Sequence, residues 1–219
     1  IERQDGLPGL GVFYGPSGFG KTTTTVVIAN EVNAYYVQMK SAWTRKVLLE
    51  KILIEMGITP TGSLAVMLDQ ICGQLALSRR ALIIDEFDYA AEKAGMVELV
   101  RDIYEGSQVP VLLVGEERLP QKLKKFERFH GRVLAWVAAQ PVSFDDARAL
   151  ADIYAHGLDI DDEVLQELVR VAHGSVRRVS VNLTNIFDLA NTNGWVHVGM
   201  AELSGVSVFT GEAPARRLS

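Results

Sequence analysis

Cysteine is almost absent from this chain: Cys72 is the single cysteine among 219 residues. A lone cysteine cannot form an internal disulfide, so the sequence is unlike the disulfide-stapled secreted proteins and suits a reducing compartment. We therefore expect a cytoplasmic protein. Cys72 lies in an apolar stretch with helical spacing, which indicates a packing role rather than a nucleophile.

Long apolar runs and an excess of basic residues are also missing. No run approaches the length of a membrane-spanning helix, so we expect no membrane partner. The formal net charge of −5 excludes a protein that coats nucleic acid through overall basicity, but it allows a local basic strip. The scattered histidines have no metal-ligand spacing, which favours structural or surface roles for His130, His156, His173 and His197.

One complete phosphate-binding pattern, G-x-x-x-x-G-K-[ST], is present at residues 15–22. Glycines let the backbone curl so that successive N–H groups point at one anion, the lysine reaches the terminal phosphates, and the last hydroxyl can ligate Mg²⁺. A short apolar strand precedes the loop and a helix follows it, as the pattern requires. The residues predicted to hold a nucleotide are Gly15, Pro16, Ser17, Gly18, Phe19, Gly20, Lys21, Thr22 and Thr23.

A second signal lies farther along the chain, where an apolar run ends in two acids, Asp85 and Glu86. Such a run is typical of a strand buried on both faces of a parallel sheet, and carboxylates at its C-terminal end emerge where ligands bind in open α/β sheets. Asp85 would then hold Mg²⁺ with Thr22, and Glu86 would polarise the attacking water. Together the two signals predict a site for ATP and Mg²⁺, with Lys21 and Glu86 as catalytic residues.

Strand-like and helical segments alternate up to about residue 140, which predicts an α/β P-loop NTPase fold with a five-stranded parallel sheet flanked by helices. The predicted strands are Gly11–Tyr14, Tyr35–Met39, Ala81–Asp85, Val109–Val114 and Val133–Val137. The predicted helices of this region are Lys21–Asn33, Thr44–Met56, Ser63–Leu77, Ala91–Tyr104 and Leu119–Phe129.

Beyond Gln140 the pattern changes to three helical segments. Acidic residues open the first two, and Gly174-Ser175 separates the second from the third. We expect a nucleotide-binding domain over residues 1–140, a small all-helical lid over 141–198 and a flexible C-terminal tail over 199–219.

These features resemble AAA+ ATPases, and the likeness extends over residues 8–195. Besides the phosphate loop and the acid pair, it rests on the segments Val111–Gly115, Phe129–Val133 and Gly174–Arg178. The spacing and the short lid are most similar to the transposition target-selector group, which includes phage Mu transposition protein B and the TnsC-like ATPases. The secretion ATPase ExeA and the origin-recognition ATPases resemble the chain more distantly.

The resemblance implies roles for three arginines. Arg132 stands where such ATPases place an arginine finger that reaches a neighbouring subunit's γ-phosphate, and Arg128 is the other candidate. Arg177 matches the lid arginine that senses nucleotide. A planar, permanently charged guanidinium suits phosphoryl oxygens. The alternatives are that Arg128 and Arg132 are surface charges in a basic cluster, and that Arg177 pairs with acids of the lid.

One position departs from the family pattern. Where the fourth strand ends, these ATPases usually carry Asn, Thr or Ser to position the attacking water, whereas this chain has Gly115-Glu116-Glu117. An ionised glutamate donates no hydrogen bond and repels the γ-phosphate. Glu116 therefore either points away from the site or slows the reaction. We predict slow hydrolysis, with ATP acting mainly as an assembly switch.

Three cations, two hydroxyls and one aromatic ring lie at residues 40–46, between the second strand and the next helix. Such a helix start suits contacts with backbone phosphates, and no feature of the sequence is suited to read base edges. In the transposition ATPases the corresponding region faces DNA. The candidate contacts with duplex DNA are Lys40, Thr44, Arg45 and Lys46. The alternative is a solvated helix face with Trp43 packed beneath it.

The resemblance thus implies an ATP-dependent, sequence-nonspecific DNA-binding ATPase. It would assemble head to tail into a helical filament on DNA and select or deliver target DNA for a transposase. A head-to-tail interface is heterologous and forms open helices unless the rotation closes. Two other functions stay open: an AAA+ remodelling or loading ATPase that acts on protein, and a nucleotide-gated signalling module.

Overall fold

The computed structural model describes residues 9–204 and 210–211 of the chain. The structure divides into two compact units. The first consists of the residues up to Pro16 together with Lys21–Ala139, and the second consists of Ser17–Gly20 together with the residues from Gln140 onward. Each unit has a hydrophobic core of its own.

The first unit is built on a five-stranded sheet. Its strands are β1 (Leu10–Tyr14), β2 (Tyr35–Gln38), β3 (Leu82–Asp85), β4 (Val111–Gly115) and β5 (Val133–Ala138). They lie in the order β2-β3-β4-β1-β5, and every neighbouring pair is parallel. Parallel neighbours need crossover connections, which the helices supply. This confirms the predicted fold, a parallel five-stranded sheet flanked by helices.

The helices of the first unit are α1 (Lys21–Glu31), α2 (Arg45–Glu55), α3 (Leu64–Ser78), α4 (Asp88–Ala91), α5 (Ala94–Ser107), α6 (Leu119–Lys124) and α7 (Glu127–His130). Two predicted helices differ from the structure: the helix predicted as Ala91–Tyr104 begins at Ala94 instead, and the helix predicted as Leu119–Phe129 is divided into α6 and α7. The backbone of Lys93 is extended, which separates α4 from α5. Phe126 likewise leaves the helical region between α6 and α7.

Strand β3 is buried on both faces of the sheet. All four residues of β3 are buried, as its continuous apolar sequence requires. On one face, Leu82 and Ile84 belong to the large apolar core that includes residues of α2, α3 and α5. On the other face, Ile83 packs with Ala29 of α1. The last residue of β3, Asp85, is thereby fixed at the C-terminal edge of the sheet.

The start of α1 contains four consecutive threonines, which are poor helix formers. Thr25 is fully buried, and its hydroxyl donates to the carbonyl oxygens of Lys21 (2.9 Å) and Thr22 (3.0 Å). The helix thus forms against its local propensity, and the buried Thr25 hydroxyl has hydrogen-bond partners within the first turn.

The second unit contains α8 (Phe144–Tyr154), β6 (Asp159–Ile160), α9 (Asp162–Ala172), α10 (Val176–Asn193) and β7 (His197–Val198). Ser143 and Asp146 cap α8 reciprocally, each side chain accepting a backbone N–H from the other residue. In α9, Val164, Leu165 and Leu168 form a buried stripe with helical spacing.

The prediction of an all-helical lid is wrong, because β6 and β7 pair as a short parallel ladder. The amides of Asp159 and Asp161 donate to the carbonyls of Val196 and Val198, each at 3.1 Å. The Asp161 carboxylate also contacts His197 Nε2 at 3.0 Å. Strands of two residues are too short for an alternating pattern to be visible in the sequence.

The predicted flexible tail over residues 199–219 is wrong for its first residues. The Gly199 amide donates to the Glu202 carboxylate at 2.9 Å. Leu203 is buried with the core of the second unit. Apart from Thr210 and Gly211, the later part of the predicted tail lies outside the described residues.

Among the helices that the structure describes, none is both long enough and apolar enough to cross a membrane.

Candidate nucleotide-binding site

The loop at residues 15–22 leaves the end of β1 and continues directly into α1. Gly18 (φ +84°) and Gly20 (φ +79°) adopt conformations that other residues rarely adopt, which explains why glycine is needed there. The first N–H groups of a helix have no partners within it. The start of α1 therefore offers unpaired backbone amides of the kind that bind anions.

The Lys21 ammonium contacts the first two residues of this loop. Its Nζ donates to the carbonyl oxygens of Gly15 and Pro16, both at 2.8 Å. Burial lowers the pKa of Lys21, and the nearby charges of Glu86 and Asp85 act in the opposite direction. A partly desolvated ammonium that is bonded to neutral carbonyls forms stronger hydrogen bonds when phosphate oxygens replace them.

The Thr22 hydroxyl and the Asp85 carboxylate are in direct contact. Thr22 Oγ1 donates to Asp85 Oδ2 at 2.8 Å, which brings the first turn of α1 to the end of β3. Asp85 is only 1% exposed, and its other oxygen, Oδ1, accepts the Glu86 backbone N–H at 2.8 Å. The buried charge is thus satisfied by hydrogen bonds from several directions.

Tyr36 is a member of this site that sequence reasoning missed. Its hydroxyl donates to Asp85 Oδ2 at 2.8 Å, the same oxygen that Thr22 contacts. Burial, together with the hydrogen bond and charge of Asp85, raises the pKa of Tyr36 above its ordinary value, so the phenol stays protonated as a donor. A tyrosine in a strand ordinarily indicates packing, and no sequence signal distinguished this one.

Glu86 follows Asp85 with a left-handed backbone (φ +57°), which is uncommon for a residue other than glycine. Burial raises the pKa of Glu86, the charges of Asp85, Asp88 and Glu116 add to this effect, and Lys21 opposes it. A carboxylate with a raised pKa is a better proton acceptor than an ordinary one.

The end of β4 is occupied by a carboxylate from elsewhere in the chain. A Cβ on Gly115 would collide with Asp88 Oδ2, and Asp88 also accepts the backbone N–H of Glu116. Asp88 is 7% exposed, and its Oδ1 lies 3.5 Å from Lys122 Nζ. The Glu116 side chain is exposed, although its charge contributes to raising the pKa of Glu86. Asp88 was not identified from the sequence, since only the fold brings it to Gly115.

The chemistry of the donor set fits a nucleotide with Mg²⁺. Magnesium prefers oxygen ligands and is commonly held by one or two protein oxygens together with substrate phosphates. Thr22 and Asp85 supply a hydroxyl and a carboxylate, and Lys21 supplies a cation for phosphate. Within residues 9–204, no cluster of three or more His, Cys, Asp or Glu side chains could hold a metal without such help.

Within the second unit, the loop residues Ser17–Gly20 contact the start of α10. The Arg177 backbone N–H donates to the Gly18 carbonyl at 3.2 Å, while the Arg177 side chain is exposed. The Phe19 ring packs against Gly174, where a Cβ would lie 2.6 Å from the ring. Ser17 is exposed.

The two arginine-finger candidates differ in their surroundings. The Arg132 guanidinium forms an ion pair with Glu105 of its own chain, and its Nη1 donates to the Arg128 carbonyl at 2.8 Å. Arg128 is exposed, and its guanidinium forms no ion pair within the part of the chain that the structure describes. The Nε and Nη1 atoms of Arg132 are therefore engaged within the chain.

The candidate DNA-contacting residues lie together on the surface of the first unit. Lys40, Arg45 and Lys46 are exposed, and Trp43 packs beneath them against the core. Thr44 caps α2 by accepting the Val47 amide at 3.4 Å, and Lys46 lies 3.8 Å from Glu50.

Lys93, which the sequence did not single out, adds a cation beside this strip. Its Nζ donates to the Ser41 carbonyl at 3.4 Å. An open hollow of about 240 Å³ lies between the two segments and is lined by Trp43, Thr44, Arg45, Lys93, Gly95 and Met96. The exposed cations and the packed tryptophan are compatible with a DNA contact as well as with a solvated helix face.

Known proteins resemble the chain in both sequence and structure. Replication factor C subunit 1 of Oryza sativa subsp. japonica is 24% identical over 184 residues, which cover 80% of this chain and 18% of that protein. The chain therefore spans less than a fifth of this relative. The Aeropyrum pernix ORC2 protein, solved as ADPNP–ADP complexes, superposes with a TM-score of 0.70 at 17% identity, covering 91% of this chain and 62% of that one.

The Aeropyrum pernix ORC1 protein in complex with DNA superposes with a TM-score of 0.65 at 18% identity, covering 90% of this chain and 58% of that one. At such identities the superpositions establish the fold, the AAA+ P-loop NTPase fold. The family model described as "AAA domain" matches residues 4–123, which is more than half of the sequence. The chain therefore belongs to the AAA domain family.

Proposed function

We propose that this protein binds ATP with Mg²⁺ and hydrolyses it slowly. The observation that carries the proposal is the 2.8 Å contact between Thr22 of the phosphate loop and Asp85 of the acidic strand. The phosphate loop and the acidic end of β3 together supply, at one place, a cation, a hydroxyl and a buried carboxylate. That combination is what phosphoryl transfer requires.

Each residue of the site would have a distinct role. Lys21 and the loop amides hold the phosphates, Thr22 and Asp85 hold Mg²⁺, and Glu86 orients a water and accepts its proton. When bound, Mg²⁺ supplies positive charge that neutralises the phosphate oxygens. We further propose that Arg177 senses nucleotide and that Arg132 or Arg128 acts as a finger toward a neighbouring subunit.

The proposal of slow turnover is supported by the residues at the end of β4. The carboxylate of Asp88 occupies the space where a polar side chain on residue 115 would stand. A carboxylate cannot donate a hydrogen bond to a phosphate or a water oxygen, and its charge opposes that of the phosphate. The site is thus suited to holding ATP for longer than an efficient enzyme would.

We propose duplex DNA as the partner, contacted through Lys40, Thr44, Arg45 and Lys46. The resembling proteins include a replication factor and an origin-recognition protein in complex with DNA, and these support DNA over protein as the substrate. Backbone phosphate contacts would make the binding independent of sequence.

We further propose that the protein forms a head-to-tail oligomer, filamentous on DNA, and that this oligomer selects target DNA for a transposase. The likeness to the transposition target selectors supports this proposal. A loading ATPase of the replication-factor or origin-recognition type is the second candidate, and the proteins that match the chain favour it.

Replacing Lys21 by alanine should weaken ATP binding at least about tenfold, because a charge-assisted contact with phosphate is lost. Isothermal titration calorimetry with ATP and magnesium measures this. Lys51→Ala, which removes an exposed lysine of α2, is the control and should bind as the wild type does. Unchanged affinity in Lys21→Ala would contradict the nucleotide site.

Replacing Glu86 by glutamine should lower the rate of ATP hydrolysis by about 10²–10⁴-fold, the range typical of a lost general base. ATP affinity should change little, because the side chain keeps its size. Glu117→Gln removes an exposed carboxylate nearby and serves as the control. A wild-type turnover well above about one per second without partners, within the common range for enzymes, would refute slow hydrolysis.

Reversing two charges, in Lys40→Glu with Arg45→Glu, should abolish binding to duplex DNA and leave ATP binding intact. The single change Lys40→Ala should lower the slope of log K against log salt concentration by about 0.9, the value for one phosphate contact. Fluorescence anisotropy with labelled duplexes measures both. The matched control reverses Lys124 and Lys125, which are exposed on and beside α6. If the control loses as much affinity, the assignment of the strip is wrong.

Electron microscopy distinguishes the proposed filament on DNA from a loading or remodelling ATPase. With ATP and duplex DNA together, we expect continuous helical filaments, since a heterologous interface that does not close extends indefinitely. Closed rings that form without DNA would instead favour a loading or remodelling ATPase. Monomers under all conditions would contradict both.

A further inference from the structure

We propose that Tyr36 is a positioning residue for magnesium-dependent nucleotide binding, acting through the Asp85 carboxylate. The inference rests on the proposed function, because it concerns the same site. It adds a residue that lies outside the phosphate loop and the acidic strand. No part of the motif pattern points to it.

The hydrogen bonds around Asp85 carry the inference. Oδ2 accepts the hydroxyls of Thr22 and Tyr36, each at 2.8 Å, and Oδ1 accepts the Glu86 amide at 2.8 Å. Among the described residues these are the donors to the Asp85 carboxylate. Tyr36 therefore supplies one of three donors to a group that is 1% exposed.

The sheet register explains why Tyr36 reaches this oxygen. Tyr36 lies beside Ile83, and Gln38 lies beside Asp85, in the parallel pair of β2 and β3. Side chains alternate between faces, so Tyr36, Ile83 and Asp85 project from the same face of the sheet. The Tyr36 hydroxyl lies far enough from its backbone to reach the Asp85 carboxylate, which is diagonally opposite on the neighbouring strand.

The consequence for Asp85 is a restricted rotation. If the Thr22 hydroxyl oxygen were to hold a magnesium ion while its proton stayed bonded to Oδ2, the carboxylate would have to keep one orientation. A ring held in a packed sheet fixes its donor in space, whereas a lone threonine hydroxyl can rotate. Partners that orient metal ligands in this way typically change metal affinity by 10–100-fold when removed.

The adjacent residue provides a matched control. Tyr35 is on the same strand but on the opposite face, where it is 2% exposed. Its hydroxyl accepts from Gln74 Nε2 at 3.3 Å, and the Arg80 guanidinium lies over its ring at 3.7 Å. Removing either hydroxyl deletes the same atom from the same strand, and only one deletion touches Asp85.

The test compares Tyr36→Phe with Tyr35→Phe. Calorimetric titration with ATP is done once in excess magnesium and once in EDTA, and thermal unfolding without nucleotide checks that both variants fold. Tyr36→Phe should lose about tenfold in affinity with magnesium, and its affinity in EDTA should match that of the wild type. Tyr35→Phe should match the wild type in both conditions.

Three results would overturn the inference: an unchanged affinity in Tyr36→Phe, an equal loss with and without magnesium, or an equal loss in Tyr35→Phe. An equal loss in both conditions would mean that the hydroxyl merely supports the fold. The proposed function fails in a different way. If the wild type itself does not bind ATP, or binds it without any response to magnesium, the nucleotide site is wrong whatever Tyr36 does.

Discussion

The hydrogen bond between the Thr22 hydroxyl and the Asp85 carboxylate is the contact on which the site depends. It joins the first turn of α1 to the end of β3, although β4 separates β3 from β1 in the sheet. Asp85 can be buried there because hydroxyl and amide donors surround it. The apolar β3 supplies the rigid support, and the loop glycines allow the helix start to approach. If any of these features were lost, the Lys21 ammonium, the Thr22 hydroxyl and the Asp85 carboxylate would no longer lie together.

The sequence was sufficient to predict the parts of the site whose chemistry restricts residue type. A loop that turns around phosphate needs glycine, a lysine and a hydroxyl at fixed spacing, and few other sequences satisfy it. Asp85 and Glu86 were found because they end an apolar run. Tyr36 was not found, because a tyrosine in a strand satisfies the requirements of ordinary packing equally well.

Those helices and strands whose burial leaves a continuous or periodic apolar pattern were also predictable from the sequence. β3 was recognisable because both of its faces are buried, and α9 because its apolar residues recur with helical spacing. The ladder of β6 and β7 was missed, since two residues carry no period. The break at Lys93 was missed as well: a single extended residue inside a run of helix formers leaves no mark in composition.

The residues at positions 115 and 88 constrain each other, because a side chain at position 115 would compete with the Asp88 carboxylate for the same space. The carboxylate fills the volume in which a side chain at the strand end would stand, and it also holds the next backbone amide. A homologue that carries Asn, Thr or Ser at the strand end must therefore have a smaller or differently directed residue in place of the aspartate. In an alignment, the two columns should vary together, and a change in one alone should mark a protein whose strand end is arranged differently.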